Sequence, residues 1–181
     1  MANVDGTLNS LLKVALAVAN AEYHLERPIR SVLDIGCGEG VWRAPLLKLR
    51  PKLRYLGFDS SEYAIRRYGP RRNLHFARFG DFECLRPCPP VDLLICSDVL
   101  HYLPTRELDR GLPGLAELCN GVAFLELFTS ADETEGDDVG FVGRPPKFYR
   151  GRFEAAGFRF AGAHCWLSPT LASDAAALEI A

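Results

Sequence analysis

The sequence lacks the cysteine spacing of a metal or dithiol site. Its six cysteines are scattered, mostly within apolar runs, and no two are spaced C-x-x-C. Cys84 and Cys88 lie four positions apart in a proline-rich segment, but no second ligand pair follows them. Because zinc sites and redox dithiols need closely spaced pairs, we interpret the cysteines as reduced thiols in the core and predict no bound metal.

Long hydrophobic runs and targeting signals are also missing. No apolar run approaches the roughly 20 residues that a helix needs to span a bilayer. The N-terminus has neither the charged start nor the small-residue cleavage site of a signal peptide. These absences predict a cytoplasmic protein with no membrane partner.

A strong excess of one charge is missing as well. The formal net charge is -2 over 181 residues, which argues against nucleic acid as the main partner. Basic residues crowd between Arg43 and Arg78 and acidic residues between Asp81 and Asp138, and we interpret both as mainly solvated faces. The apolar content of 48% and the length fit one domain with a sizeable core.

Hydrophobic periodicity predicts an alternating fold. A leading helix over residues 7–26 ends before Pro28. Strand-like runs at 31–36, 55–58, 74–77, 91–96 and 122–128 then alternate with helical stretches at 40–49, 60–68, 106–118 and 146–156. Residues 158–166 and 175–180 look extended and would close the sheet as an antiparallel hairpin.

This order predicts an α/β fold: one doubly wound domain with a mostly parallel seven-stranded sheet, helices on both faces and a closing hairpin. We expect residues 1–28 to form a leading helix over the site, and residues 29–181 to form the domain itself.

The first strand runs directly into three alternating glycines. Gly36, Gly38 and Gly40 follow Asp34 with the spacing G-x-G-x-G, which lets the backbone come close to a bound nucleoside. Val41 stands where a dinucleotide fingerprint has a small residue. The motif therefore favours S-adenosylmethionine over a nicotinamide cofactor.

Acidic residues follow the next two strands. Asp59 ends the second strand, where one carboxylate can accept hydrogen bonds from both hydroxyls of a ribose. Asp81, after the third strand, can read the exocyclic amine of adenine while Phe82 packs on the ring. Three successive strand ends thus carry chemistry suited to one nucleoside.

These motifs resemble those of the class I, Rossmann-like S-adenosylmethionine-dependent methyltransferases. The resemblance covers roughly residues 32–128 and rests on VLDIGCGEG, YLGFDSS, GDFECL and VDLLICSDVLHYLP. It implies S-adenosyl-L-methionine as cofactor and S-adenosyl-L-homocysteine as product. It implies a cofactor site made of Asp34, Gly36, Cys37, Gly38, Asp59, Ser60, Gly80, Asp81, Phe82 and Ser97.

Within that site the resemblance implies separate roles. Gly36, Cys37 and Gly38 would pass along the methionine part of the cofactor. Asp59, with Ser60 beside it, would take the ribose, while Asp81 and Phe82 would hold adenine. Ser97 would place its backbone near the methionine end.

His101 and Tyr102 are the candidate catalytic residues. A nitrogen or oxygen acceptor can need to lose a proton, and a histidine with a pKa near 6.5 suits that task. The alternative is that His101 caps a turn or packs against the cofactor without moving a proton.

Two departures from the family pattern affect the interpretation. Cys119, Asn120 and Gly121 replace the usual Pro-Gly-Gly turn before the fifth strand. The loop after the fourth strand lacks the Asn-Pro-Pro-aromatic pattern, which argues against adenine or glutamine nitrogen as the acceptor.

We expect a small-molecule acceptor, because no large recognition domain is inserted. It would enter at the carboxyl ends of the strands, near the aromatic residues Tyr23, Phe141, Phe148 and Tyr149, and the acidic loop after residue 130 would suit a cationic acceptor.

Three alternatives stay open. The first is RNA or protein methylation, which the arginine- and tyrosine-rich run around residues 63–72 would support. The second is a non-catalytic S-adenosylmethionine-binding module. The third is a nicotinamide oxidoreductase, which Val41 disfavours.

Overall fold

The structure, a computed structural model, describes residues 4–132 and 139–176, with side chains from Ser10 onward. Within these ranges a sheet of seven strands has the order β3-β2-β1-β4-β5-β7-β6. The first five strands along the chain pair in parallel, and β7 is antiparallel to both β5 and β6. The strands are β1 (Ser31–Ile35), β2 (Arg54–Asp59), β3 (Leu74–Phe76), β4 (Val91–Ser97), β5 (Cys119–Glu126), β6 (Arg159–Phe160) and β7 (Cys165–Leu167). The predicted fold class is confirmed.

Six α-helices connect or flank the strands within the described ranges. They are α1 (Val4–Leu25), α2 (Arg43–Leu49), α3 (Glu62–Arg72), α4 (Thr105–Glu117), α5 (Pro146–Ala155) and α6 (Pro169–Ala172). Two 3-10 turns, Phe79–Glu83 and Leu100–Tyr102, follow β3 and β4. None of the helices in these ranges has the length and apolar character that a membrane span requires.

The centre of the sheet is formed by β1, β4 and β5. Every residue of β4 except Ser97 is buried, as its continuous apolar sequence predicts for a strand covered on both faces. Helix α1 covers one face through Val14, Ala17 and Ala21, which are at most 2% exposed. The chain crosses from one side of β1 to the other between β3 and β4, and such a switch point opens a crevice at the carboxyl ends of the strands.

Helix α4 is continuous although Gly111 and Pro113 lie within it. A Cβ added to Gly114 would lie 1.8 Å from the carbonyl oxygen of Phe82, and one added to Gly111 would lie 2.4 Å from that of Phe79. The glycines therefore allow the helix to pack directly on the 3-10 turn that carries Asp81. The glycines that lower the helix propensity of this segment also allow its backbone to come close to that turn.

The closing hairpin forms, but its predicted position is wrong. Residues 158–166 are not one strand: they contain β6, a turn and the start of β7. Ala175 and Ala176 are not in a strand, and residues 177–180 lie outside the described residues. The turn was hidden in the sequence because Ala163 and His164 adopt φ values of 48° and 63°, a conformation unusual for residues with a side chain.

Candidate active site

The glycine turn after β1 is fixed by the neighbouring strand. The backbone N–H groups of Gly36 and Cys37 both donate to the carbonyl oxygen of Phe58, at 2.8 Å and 3.0 Å. Gly36 has a φ of 73°, and a Cβ added there would lie 2.1 Å from Cγ2 of Val99. Glycine is required here both by the left-handed backbone and by the close approach of Val99.

Asp59 joins β2 to this turn. Its carboxylate accepts hydrogen bonds from the backbone N–H groups of Gly38 and Ser61, each at 2.7 Å. A carboxylate offers about four acceptor positions, so two stay available to a ligand. The predicted acid at the end of β2 therefore faces the glycine turn, with Ser60 beside it.

Two cavities lie on either side of the turn and share Gly36. The first has a volume of about 390 Å³ and is lined by Ser10, Lys13, Val14, Asp34, Gly36, Cys37, Gly38, Glu39, Val41, Trp42, Pro45, Ser97, Asp98, Glu126 and Phe128. The second has a volume of about 360 Å³ and is lined by Ile35, Gly36, Asp59, Ser60, Ala77, Arg78, Phe79, Val99, Tyr102, Leu103, Pro104 and Glu107. The two cavities thus offer two different sets of lining residues that meet at Gly36.

The first cavity is rich in carboxylates. Asp34, Glu39, Asp98 and Glu126 line it, against the single cation Lys13. Such a surface suits a ligand that carries positive charge. A Cβ added to Gly38 would meet no protein atom within 4 Å, so this part of the turn leaves open space for the ligand. The donor set and the open turn fit S-adenosylmethionine, which has a sulfonium and an ammonium group.

Glu126 was missed by the sequence analysis. It ends β5, and its carboxylate receives a hydrogen bond from Oγ of Ser97 at 2.6 Å and an ion pair from Nζ of Lys13 at 2.5 Å. The available signal was an acid placed at the end of an apolar strand, which is the position that Asp59 occupies in β2.

A family model described as "Methyltransferase domain" matches residues 33–121. Curated relatives named "Trans-aconitate 2-methyltransferase" occur in Deinococcus radiodurans and Methylobacterium nodulans. The first is 37% identical over 81 residues, which are 44% of this chain and 30% of the relative. The second is 37% identical over 86 residues, which are 46% of this chain and 32% of the relative. The chain therefore spans about a third of the length of these relatives.

Solved structures agree with the fold. Streptomyces venezuelae DesVI aligns with a TM-score of 0.64 at 17% identity, covering 83% of this chain and 84% of that one. A SAM-dependent methyltransferase from Archaeoglobus fulgidus aligns with a TM-score of 0.58 at 20% identity, covering 81% and 69%. Residues 33–121 therefore form a methyltransferase domain, and the chain shares its fold with S-adenosylmethionine-dependent methyltransferases. The predicted resemblance and cofactor are confirmed.

The predicted site residues of this methyltransferase fall into three groups. Asp34, Gly36, Cys37, Gly38 and Ser97 line the first cavity, while Asp59, Ser60 and Tyr102 line the second. Four others line neither: Gly80, Asp81, Phe82 and His101.

The 3-10 turn after β3 places its residues differently from the expectation. The Phe82 ring is 0% exposed and packs edge-on against Phe58 at 5.5 Å, so it has no surface free to pack on adenine. The Asp81 carboxylate is exposed and accepts the N–H of Arg78 at 2.8 Å. The N–H of Gly80 donates to Glu107, whose side chain lines the second cavity and was not predicted.

His101 is buried between the loops that follow β4 and β5. Its Nδ1 accepts the backbone N–H of Phe128 at 3.3 Å, which places the proton of the neutral ring on Nε2, 3.5 Å from the Asp98 carboxylate. Burial lowers the pKa of His101, and the nearby Asp98 opposes that shift. Because neither ring nitrogen faces a cavity with a free lone pair, this geometry favours the alternative in which His101 packs and positions neighbouring loops.

The aromatic residues that were expected to line the acceptor site do not all lie together. Tyr149 is buried, and Phe141 packs on His101 with ring centroids 5.5 Å apart. Tyr23 is 64% exposed near the far end of α1 and lines neither cavity. Of the acidic loop, Asp132 is described, whereas Glu133, Glu135, Asp137 and Asp138 lie outside the described residues.

Asp34 gives the methyltransferase a pH dependence of stability. Burial raises the pKa of Asp34 to about 7, and the charge of Asp59 adds to this, although the Tyr55 hydroxyl, which donates at 2.6 Å, opposes it. The pKa of Asp34 in the unfolded chain is about 3.9. When the pH lies between this value and the pKa in the folded protein, the folded protein keeps a proton on Asp34 that the unfolded chain has lost. We therefore expect the free energy of unfolding to contain a term that decreases as the pH rises through this window.

The substitution Asp34→Asn isolates this term, because asparagine is neutral at every pH. Urea unfolding of both proteins without cofactor, at pH 5 and pH 8, should show the variant gaining stability relative to wild type at pH 8. The expected change is on the order of a few kcal/mol. Equal differences at the two pH values would contradict the assignment.

Proposed function

We propose that this methyltransferase is an active enzyme that transfers a methyl group from S-adenosylmethionine to a small-molecule acceptor. The observation that carries the proposal is the Asp59 carboxylate, which bonds to the N–H of Gly38 and faces both the glycine turn and the second cavity. A single acid thus connects the turn to the place where a nucleoside would lie.

The two cavities suggest how the chain would orient the cofactor. Asp59 and Ser60 would bind the ribose, and the carboxylates of the first cavity would hold the charged end. When bound, the cofactor supplies a methyl group already activated by a sulfonium. The residues then have to align the partners and exclude water, and alignment can contribute roughly 7 to 11 kcal/mol of the barrier.

Helix α1 would cover this site. Ser10, Lys13 and Val14 line the first cavity from above the sheet, which supports the division between a leading helix in residues 1–28 and the domain in residues 29–181. The matched relatives are named for trans-aconitate, a small acceptor, and this name supports a small molecule as the acceptor here.

The test combines binding with turnover. Calorimetry should detect binding of S-adenosylhomocysteine to the purified protein, and mass spectrometry should detect methyl transfer to members of a panel of small acids, amines and alcohols. Binding without transfer to any acceptor would favour the non-catalytic module. No binding would contradict the proposal altogether.

One observation favours RNA methylation as the second candidate. Among the described residues none of the four α3 arginines, Arg66, Arg67, Arg71 and Arg72, makes an ion pair. The Arg72 guanidinium lies 4.6 Å from the centre of the Tyr68 ring. Retention on immobilised RNA that falls steeply with salt would support this candidate, since phosphate contacts are screened in that way.

A further inference from the structure

A third cavity lies at the carboxyl end of β5. It has a volume of about 520 Å³ and is bounded by the end of β5, the start of α5 and the β6–β7 turn. Glu126 and Phe128 line both this cavity and the first one. A molecule in the third cavity can therefore come next to whatever occupies the first.

Five aromatic residues form part of the wall of the third cavity. They are Phe128, Tyr149, Phe153, Phe160 and Trp166. Tyr149 and Trp166 are buried, while Phe128 is 43% exposed and has surface left for a ligand. Such walls favour a flat, largely apolar molecule.

The acidic groups of the third cavity are already engaged. Glu126 pairs with Lys13 and Ser97. Asp132 accepts hydrogen bonds from the backbone N–H and the hydroxyl of Thr129, both at 2.8 Å. Glu126 is thus paired with a cation, whereas Asp132 has only neutral partners but is exposed, so that water screens its charge.

Arg150 is different. Its guanidinium lies 5.7 Å from the centre of the Phe160 ring, and no carboxylate of the described residues pairs with it. A guanidinium on an aromatic face keeps its planar donors free, and these match the two oxygens of a carboxylate. The cavity therefore combines flat apolar walls with one anion receptor.

The turn between β6 and β7 closes the cavity with a strained backbone. Gly162, Ala163 and His164 have φ values of 89°, 48° and 63°, and the last two line the cavity. The carbonyl oxygen of His164 accepts the N–H of Leu125 at 2.9 Å, which holds the strained turn against β5. Strain of this kind is kept where surrounding contacts fix it, and it occurs often at ligand sites.

We propose that the third cavity binds the methyl acceptor and that the acceptor is a flat, largely apolar acid whose carboxylate is held by Arg150. This rests on the proposed function, because the cavity adjoins the site where the cofactor would lie. The remainder of the acceptor would extend along Phe128 towards Glu126 and the first cavity. The proposal replaces the cationic acceptor that the acidic loop suggested from the sequence.

The test uses benzoate and trans-cinnamate as probes, with neutral trans-cinnamamide as the matched comparison. Each is titrated calorimetrically into the full chain at pH 7.5, with and without saturating S-adenosylhomocysteine. At least one acid should bind, and cinnamamide should bind at least about tenfold more weakly than cinnamate, because it lacks the charge.

Two variants locate the binding. Arg150→Met removes the guanidinium and keeps an apolar stem, and should weaken acid binding by about tenfold. Lys147→Met removes one positive charge from the same helix outside the cavity, and should change acid binding by less than about twofold. S-adenosylhomocysteine should bind equally to wild type and both variants, and matching circular dichroism and thermal midpoints confirm folding.

The two proposals fail separately. If S-adenosylhomocysteine binds but neither acid does, or if acid binding is the same in Arg150→Met, the assignment of the acceptor class is overturned and the cofactor site stands. Equal affinity for cinnamate and cinnamamide also overturns it. If S-adenosylhomocysteine fails to bind, the proposed function falls, and the titrations without it still decide whether Arg150 is an acid receptor.

Discussion

Replacing Asp59 with alanine should weaken binding of S-adenosylhomocysteine on the order of 100-fold, from the loss of charge-assisted hydrogen bonds. The carboxylate has two tasks. It accepts the N–H groups of Gly38 and Ser61, and its remaining acceptor positions face the second cavity. Alanine removes the proposed ribose contact and also removes one of the hydrogen bonds that hold the glycine turn against β2, while those to the Phe58 carbonyl stay.

Two further variants separate these tasks. Asp59→Asn keeps the size of the side chain and one acceptor oxygen, so its loss of affinity should be smaller than that of alanine. Glu62→Ala removes a nearby acid in the first turn of α3 and should leave affinity unchanged. Calorimetric titration of the three variants measures this directly, and an affinity of Asp59→Ala within threefold of wild type would contradict the assigned site.

We expect the largest effect on stability from a substitution of Asp92, which lies near the amino end of β4, away from the crevice. This residue is 4% exposed. Its carboxylate accepts hydrogen bonds from the two Nη atoms of Arg27, at 3.0 Å and 2.7 Å, and from the backbone N–H of Arg30 at 2.6 Å. Alanine leaves the N–H of Arg30 without its acceptor and removes the partner of Arg27, whose side chain is 35% exposed and can be solvated, so we expect a loss of about 1.5 to 3 kcal/mol. Urea unfolding of Asp92→Ala should show a loss of that size.

The matched control is Glu117→Ala, which breaks the exposed pair with Arg86. A surface pair contributes at most about 1 kcal/mol, so this variant should lose little. Where Asp92→Ala folds, it should bind S-adenosylhomocysteine as wild type does, because Asp92 lies away from the crevice. A stability loss of less than about 1 kcal/mol would show that the pair with Arg27 contributes little.

The sheet could be predicted from the sequence because its strands carry a strong local signal. The continuous apolar run of β4 and the glycine turn after β1 needed no knowledge of distant contacts. The β6–β7 turn could not be predicted in this way, because Ala163 and His164 give no turn signal. Their conformation is fixed by a distant contact, because the carbonyl oxygen of His164 accepts the N–H of Leu125 beside β7, which pairs with β5.

The geometry of the proposed cofactor site could be predicted at positions where only one residue type satisfies the local structure. Glycine at position 36 and the acid at position 59 are positions of this kind. Phe82 was not, because an aromatic residue beside an acid can face either a ligand or the core, and here it packs on Phe58. The roles of Glu126 and Arg150 could not be predicted from the sequence, because they depend on whether other charged residues pair with these side chains.

The pair between Lys13 and Glu126 has a consequence for how molecules enter and leave the crevice. The lysine side chain is 36% exposed, so the ion pair is weak in water and sensitive to salt, whereas α1 is held on the sheet by its buried alanines and valines. Lys13 also lines the first cavity, so its rotation away from Glu126 would widen that cavity while the helix remains docked. We expect ligand exchange there to need only a side-chain movement, and to become faster as salt weakens the pair.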